Sequence, residues 1–467
     1  MSAGDDPLIV ERSAFEEPGP RVQLGRSLKN RHVEMIAIGG IIGAGLFVGS
    51  SAAIAATGPA VIISYALAGF LVLLVMRMLS EMAAAIPGVQ TFPDFPRLGL
   101  GRWAGFFTGW LYWYFWVVVV AIEAIAGAII LQGWIALPVW VIGVALVAVL
   151  TLVNLMSTRS FGEFEFWFSS LKVAAIAAFI LIAGAYAFGV GSGDAPTFSN
   201  FHVVGGFMPN GPGSVLAGVT TVIFSLIGAE IATVAAAESE EPARSVARVT
   251  ASVAVRIIVF YILSIALILC VVPWDQIVPG FSPFTAAMDK IGIPFATTIM
   301  NLVVLVAVLS CMNSGLYVTS RVLFSLASHG DAPSWIVSVN RRQVPVRAIM
   351  IASLFAYGAL AASILSPEVV FTFLVNASGS LMLIVYAVVA LAQIKLRRVL
   401  ERDTPDRIVI RMWLFPWLSY AAVIGIGLVL VAMAVSADMR SQFISSAAVS
   451  LLCLAIYYWL HGRKARG

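Results

Sequence analysis

The sequence predicts an all-α polytopic membrane protein, and three observations carry this prediction. Of the 467 residues, 60% are hydrophobic and only 11% are charged, and the mean hydropathy is +0.98. Water-soluble domains carry about a quarter charged residues, so a chain this apolar cannot cover its surface with polar groups. The apolar residues form long runs, and Lys and Arg cluster in alternate loops between those runs.

Twelve apolar runs are long enough to cross a bilayer, because a helical span needs about 20 residues. They lie at 33–56, 60–86, 103–132, 137–156, 161–190, 212–237, 245–272, 292–327, 346–364, 368–395, 411–435 and 442–461. If both termini are cytoplasmic, the cations of the two tails and of alternate loops all fall on the cytoplasmic face. Only Lys290 and Arg440 among the loop cations then lie outside, which favours this topology.

The runs leave room for one transmembrane domain, 32–461, flanked by cytoplasmic tails 1–31 and 462–467. The first residues mix acids with prolines and lack a basic flank before an apolar core, so no cleaved signal peptide is expected. Three cysteines in apolar runs suggest neither a disulfide framework nor a metal cluster. The net charge of +4 is explained by the loops, so no nucleic-acid partner is expected.

The first span carries an unusual density of glycine, in the stretch IGGIIGAGLFVG that includes Ile42, Gly43, Ala44 and Gly45. Each glycine weakens a helix interior by roughly 1 kcal/mol relative to alanine. An isolated glycine pair is explained equally well by close packing of helices. The sixth span, however, also carries a glycine at mid-span, in the stretch FSLIGAE that begins at Phe224 and ends at Glu230.

Interrupted helices in corresponding positions of two halves of a chain indicate a transporter with inverted repeats and a binding site near the membrane midplane. The outer half of the first span would begin near Gly43 with free N–H groups, which attract an anion. The outer half of the sixth span would end near Phe224, Ser225 and Ile227 with free carbonyl oxygens, which suit an ammonium group. The two breaks therefore predict a site for a small zwitterion.

Several motifs together resemble the amino acid transporter family of the amino acid–polyamine–organocation superfamily. They are IGGIIGAGLFVGS, GRWAGFFTGWLYW, FGEFEFWF, FSLIGAEI followed by AAAESEEP, and NSGLYVTSRVLFSLASHGDAP. Within that family, GEFEFW, GGFMPNG and RMWLFPWL look most similar to the 4-aminobutyrate (GABA) permeases. The resemblance covers nearly the whole chain.

This resemblance implies a LeuT-like fold in which helices 1–5 and 6–10 form inverted repeats and helices 11 and 12 are peripheral. It also implies proton symport of GABA by alternating access in the bacterial cytoplasmic (inner) membrane. A permease or exchanger for another neutral amino acid, such as β-alanine or an α-amino acid, remains the alternative. Two departures stand out: Gly45 replaces a serine of some GABA permeases, and Pro93 and Pro96 lie in a loop that is usually helical, so its geometry is expected to differ.

Lys172 lies about 16 Å along the fifth span from its cytoplasmic start, too deep for its ammonium group to reach the surface. Ionisable groups inside spans are functional candidates by default. In related transporters a lysine here occupies the place where sodium-driven relatives bind an ion, which favours coupling to protons. The alternative is a permanently charged lysine that only ties helices together.

Two carboxylates inside spans leave two interpretations open. Glu230 contacts substrate or a proton, or is bound to the N–H groups of the inner half-helix. Glu123 accepts the distal ammonium of an extended substrate, or pairs within the bundle. Glu81, Glu163 and Glu165 are interpreted as interfacial or gate contacts.

The remaining candidates are aromatic or neutral polar residues. Phe224 is expected to cover the substrate as a thin gate, a role that the resemblance supports. Polar side chains of the eighth span are expected to line the Lys172 site, namely Ser310, Asn313 and Ser314. Trp116 and the other aromatics of the third span are assigned to packing or interface anchoring.

Other classes of protein have little support in the sequence. All four histidines lie at span ends or in loops, and no catalytic or metal-ligating spacing occurs, so an enzyme is not expected. No channel filter or nucleotide-binding loop is apparent. The expected partners are an amino acid, protons and the lipid bilayer, with no cofactor, no metal and no obligate protein partner.

Overall fold

The computed structural model describes residues 42–86, 89, 91–156, 158–190, 198–228, 230, 255, 257–340, 344–362, 364 and 366–462. Regular structure in these residues is helical. The α-helices are α1 Ser50–Thr57, α2 Val61–Ala85, α3 Asp94–Leu100, α4 Arg102–Gln132, α5 Val139–Asn154, α6 Thr158–Ala187, α7 Gly211–Leu226, α8 Ser264–Val271, α9 Pro283–Ile291, α10 Ala296–Ser328, α11 Val346–Ala362, α12 Pro367–Asp403, α13 Trp417–Val435 and α14 Arg440–Gly462. π-Helical segments Gly45–Gly49 and Ile257–Leu263 lead into α1 and α8.

Several of these helices are apolar enough to cross a bilayer. Within the described residues, seven helical segments have the required length and composition, and four shorter apolar helices accompany them. The segment Gly45–Ala85 turns at Gly58, where φ is +72°, and the next residue is Pro59. It therefore contains parts of two predicted spans rather than one. Parts of the predicted spans and of the C-terminal tail lie outside the described residues, namely 33–41, 231–254 and 463–467.

α4 and α10 form the centre of the bundle and pack along each other over most of their length. α12 packs against α4 and α7 on one side, and α6 packs against α10 on the other. α13 and α14 lie at the edge and expose large apolar side chains, which suits contact with lipid: Ile424, Leu428, Leu451 and Leu452.

Two predicted boundaries differ from the observed helix ends. α12 continues to Asp403 instead of ending at 395, and within the added turns Arg397 bonds Glu401 one turn ahead at 2.9 Å. Its 37 residues are about 55 Å long, more than a bilayer core requires. α13 begins at Trp417 instead of 411, since Leu414 has a φ of +43° and Pro416 has no N–H. In the sixth apolar run, α7 ends at Leu226, within the predicted break, and residues 231–237 of the run lie outside the described residues.

The loop that contains two prolines also differs from expectation. The segment Asp94–Leu100 is helical although Pro93 precedes it and Pro96 lies inside it. Both prolines occupy the start of the helix, where backbone N–H groups have no helical acceptor, so neither interrupts a hydrogen bond. Phe95 is buried, and α3 packs against α12 and α4. The prolines are therefore compatible with a helical loop.

Candidate transport site between the helix breaks

The first break lies at Gly43 and Ala44, immediately before the π-helical segment Gly45–Gly49. The backbone N–H of Ala44 donates to both carboxylate oxygens of Glu123, at 3.0 Å and 2.9 Å. A Cβ atom on Gly43 would lie 2.5 Å from Oε1 of Glu123 and 2.5 Å from Cβ of Cys311. Glycine is therefore required at position 43 for the close approach of α4 and α10. Ile42 and Ala44 are fully buried beside it.

The second break follows α7. Ile227 is extended, with a φ of −67° and a ψ of 148°, and Gly228 has a φ of +118°, which strongly favours glycine. Both oxygens of Glu230 accept the N–H of Gly228 at 3.0 Å, and the hydroxyl of Tyr386 on α12 donates to Oε2 at 3.0 Å. Glu230 is fully buried. Its carboxylate therefore stabilises the turn at the end of α7.

The two breaks pack directly against each other. A Cβ atom on Gly45 would lie 2.7 Å from Cα of Ser225 and 3.3 Å from the ring of Phe224. The Ser225 hydroxyl donates to the carbonyl of Val222 at 2.7 Å, within its own helix. A side chain at position 45 would therefore push the breaks apart.

A narrow cavity lies at this junction. Its lining combines residues of both breaks with aromatic, apolar and acidic side chains of α4 and α10: Gly45, Phe115, Trp116, Val119, Glu123, Phe224, Ile227 and Cys311. The rings of Phe115 and Phe224 meet edge to face, with centroids 6.4 Å apart and an angle of 61° between their planes. The cavity is thus bounded by apolar walls, one carboxylate and the two helix ends.

Lys172 lies in a separate buried cluster between α6 and α10. Its Nζ donates to Oγ of Ser310 at 2.8 Å and lies 3.6 Å from Oε1 of Glu165. Ser310 in turn donates to the same oxygen of Glu165 at 2.5 Å, and Ser169 donates to it at 3.2 Å. All four residues are fully buried. The ammonium group is therefore compensated by a carboxylate, as a charge in an apolar bundle requires.

The assignment of Glu165 as an interfacial or gate contact is wrong. Glu165 precedes Lys172 by seven residues, which places both on one face of a helix two turns apart. That spacing could have identified the pair in the sequence. The spacing alone does not show which side of α6 faces the rest of the protein, because apolar residues occur on every side of this helix.

The other polar candidates of α10 are directed elsewhere. Oδ1 of Asn313 accepts a hydrogen bond from Asn154 of α5 at 2.7 Å. Oγ of Ser314 is buried, with no hydrogen-bond partner among the described residues. Of the three predicted residues, Ser310 is the one whose hydrogen bond to Lys172 is present in the described part of the chain.

Four residues of the cavity wall were not among the predicted site residues: Phe115, Trp116, Val119 and Cys311. Trp116 was assigned to packing, yet it lines the cavity, and its indole Nε1 is buried without a hydrogen-bond partner among the described residues. Cys311 contacts the first break at Gly43 and directly follows Ser310 of the Lys172 cluster in the chain. It therefore connects the two. Neither Trp116 nor Cys311 could be singled out from a span that is rich in aromatic and small residues. Across the described chain, no group of three His, Cys, Asp or Glu residues could hold a metal ion.

Comparisons with known proteins identify the family. Residues 32–466 match the amino acid permease family. The chain is 48% identical over 443 residues to the gamma-aminobutyric acid permease of Bacillus subtilis (strain 168), with 94% of each chain covered. It is 44% identical over 458 residues to a probable GABA permease of Pseudomonas aeruginosa, covering 97% of this chain and 96% of that protein.

A solved structure supports the fold. The crystal structure of a mutant manganese transporter of Eremococcus coleocola superposes with a TM-score of 0.58 at 12% identity, covering 92% of this chain and 93% of that one. The protein therefore has the fold of a LeuT-like transporter. Members of the family are transporters, which confirms the expectation that the protein is not an enzyme. The chain is a multi-pass membrane protein and belongs to the amino acid permease family.

Proposed function

We propose that this permease imports GABA together with a proton by alternating access. The observation that carries the proposal is the narrow space between the two helix breaks, which is lined by residues of both breaks and by the carboxylate of Glu123. Transporters with interrupted helices bind a small substrate at such a position. The relatives described above are named as GABA permeases, which supports GABA among the small amino acids.

The substrate is oriented by the two breaks. Its carboxylate binds the N–H groups around Gly43, Ala44 and Gly45, where the helix dipole favours an anion. Its ammonium group lies toward the carbonyl end of α7, with Ile42, Phe224, Ser225 and Ile227 around it. Phe224 closes the outer side as a thin gate, and Glu123 faces the distal end of an extended substrate.

Coupling to protons involves the buried charges. Lys172 exchanges a proton while Glu165 and Ser310 keep its nitrogen oriented toward α10. Ser310 is followed by Cys311, which lies against Gly43, so a change of charge at Lys172 acts directly on the first break. Asn313 and Ser314 extend the polar lining of α10. Glu230 couples through the turn at Gly228 that it stabilises.

The same proposal includes the arrangement in the membrane. Twelve spans form one domain over residues 32–461, with helices 1–5 and 6–10 as inverted repeats and α13 and α14 at the periphery. Both termini lie in the cytoplasm of a bacterial cell, and the protein is in its cytoplasmic membrane. Rocking of the bundle that contains the two breaks exposes the cavity to each side in turn.

Uptake into proteoliposomes tests this function. Labelled GABA is supplied under an imposed pH gradient without sodium, with alanine, phenylalanine, asparagine and β-alanine as competitors. Saturable uptake that collapses with the gradient is the expected result. Accumulation of another amino acid in place of GABA would overturn the substrate, and uptake that is indifferent to the gradient would overturn the proton coupling and favour exchange.

A further inference from the structure

The carboxylate of Glu123 occupies the position where the proposed substrate's carboxylate has to bind. Both of its oxygens accept the N–H of Ala44, and Oε1 lies against Gly43. We infer that Glu123 is an internal competitor for this backbone donor, and that substrate binds by displacing it. The inference rests on the proposed function, because it requires a substrate that carries a carboxylate.

Two carboxylates do not fit at this break together. The approach to Gly43 is already so close that a single added carbon would overlap Glu123 and Cys311. Two like charges sharing one donor also repel each other strongly in an apolar site. An incoming carboxylate therefore takes the N–H of Ala44 only when the side chain of Glu123 rotates away.

The space between the two breaks lies on the side toward which that rotation takes place. Glu123 lines this narrow space, so its side chain moves away from Ala44 as the two breaks separate. Trp116 lines the same cavity, is only 2% exposed, and its Nε1 has no hydrogen-bond partner in the described part of the chain. A buried donor without an acceptor is costly unless a ligand supplies one, so Trp116 independently marks the cavity as a binding site.

Displacement by itself leaves the carboxylate of Glu123 buried without the N–H of Ala44, which is unfavourable. A substrate with an ammonium group at the far end of its chain supplies the missing partner. In an α-amino acid the ammonium group lies one carbon from the carboxylate, beside the helix ends. It is therefore a poorer partner for the displaced carboxylate of Glu123. Glu123 therefore favours ω-amino acids and rejects simple carboxylates of the same length.

The test measures dissociation constants by calorimetry for GABA and for butyrate, which lacks the ammonium group, on the purified protein in nanodiscs. Glu123→Ala removes the competitor and also the ammonium partner. We expect butyrate to bind about tenfold more tightly and GABA about tenfold more weakly than in the wild type, a change of about 100-fold in preference. Glu123→Gln is expected to lie between, since its amide oxygen still accepts the N–H of Ala44. Glu401→Gln, at the far end of α12, serves as the control and is expected to change neither constant.

Each outcome decides the inference. Unchanged or weaker binding of butyrate in Glu123→Ala overturns it, as does butyrate binding to none of the variants. If Glu123→Ala does not fold, the gain for butyrate in Glu123→Gln decides instead. If the wild type binds β-alanine but not GABA, the proposed substrate is wrong, while the response of butyrate still shows whether Glu123 competes for the helix break.

Discussion

Glu81 and Glu123 are both carboxylates inside the bundle with about 1% of their surface exposed, yet their surroundings differ. Oε1 of Glu81 accepts from Gln393 at 2.7 Å, and Oε2 accepts from Arg397 and from the N–H of Met412, each at 2.5 Å. Glu123, in contrast, has no ion pair among the described residues, and its two oxygens share one backbone donor.

The difference separates a structural charge from a movable one. Glu81 joins α2, α12 and the segment before α13 through strong hydrogen bonds and a guanidinium group, so moving it would leave several buried groups unpaired. Glu123 lies beside the narrow space between the two breaks, and a ligand carboxylate can take the one backbone N–H that it accepts. Buried polar atoms without a hydrogen-bond partner among the described residues include Nε1 of Trp116 at the cavity and Oε2 of Glu165 in the Lys172 cluster, and also Nε of Arg97 and Oγ1 of Thr404 outside both.

The largest change in the free energy of unfolding is expected at Glu81, whose two oxygens are both hydrogen-bonded. Glu81→Ala leaves the guanidinium of Arg397 buried with fewer partners, so the folded state should lose about 3–5 kcal/mol. The apparent melting temperature of the purified protein in detergent measures this loss. A variant that melts like the wild type would show that Glu81 contributes little to the folded state, and would remove the contrast with Glu123.

A smaller change in free energy, seen as a loss of affinity for GABA, is expected at the first break. Gly43→Val places methyl groups where Glu123 and Cys311 already lie, so the affinity for GABA should fall at least about 100-fold, or about 2.7 kcal/mol. Gly184→Val is the matched control, because no atom lies within 4 Å of a Cβ at that position of α6. Calorimetric binding that survives in Gly43→Val would exclude a role of this N–H end.

Lys172→Ala is expected to act on coupling more than on binding. With the ammonium group removed, accumulation driven by the pH gradient should fall about tenfold, a difference of about 1.4 kcal/mol, while GABA exchange across the membrane continues. Proteoliposome uptake at several pH values provides the readout. The double variant Lys172→Met with Glu165→Gln removes both charges. Comparing it with Lys172→Ala separates the loss of proton coupling from the destabilisation caused by leaving Glu165 buried without its ion pair. Unaltered dependence on pH in Lys172→Ala would make this lysine structural.

The smallest effect is expected at the outer edge of the Glu81 cluster. Glu401 bonds Arg397 at 2.9 Å, but its side chain is 47% exposed. Exposed ion pairs contribute little, so Glu401→Gln should change the stability by less than about 1 kcal/mol and leave uptake unaltered. A large drop in melting temperature would mean that the network extends to the surface and is not confined to buried groups.

Much of the fold could be predicted because it depends on local composition. Apolar runs of sufficient length form helices in a membrane whatever their neighbours, since no other arrangement satisfies the backbone there. The predicted bounds 60–86 and 103–132 differ from the observed helices Val61–Ala85 and Arg102–Gln132 by one residue at most. The end of α12 could not be predicted in this way, because its last turns are polar and Arg397 within them contacts Glu81 on another helix.

The sequence by itself determined that this is a helical membrane protein, and it predicted the glycines at which the first and sixth apolar runs are interrupted and the charges that lie within the apolar runs. Only the tertiary structure decided what those charges contact. Glu165 pairs with Lys172, and Glu123 accepts the N–H of Ala44 at the first break. Both contacts follow from the rotation of α6, α10 and α4 about their axes. A helix that is apolar on every side carries no periodic signal for that rotation, so packing alone determines which side chains face the site.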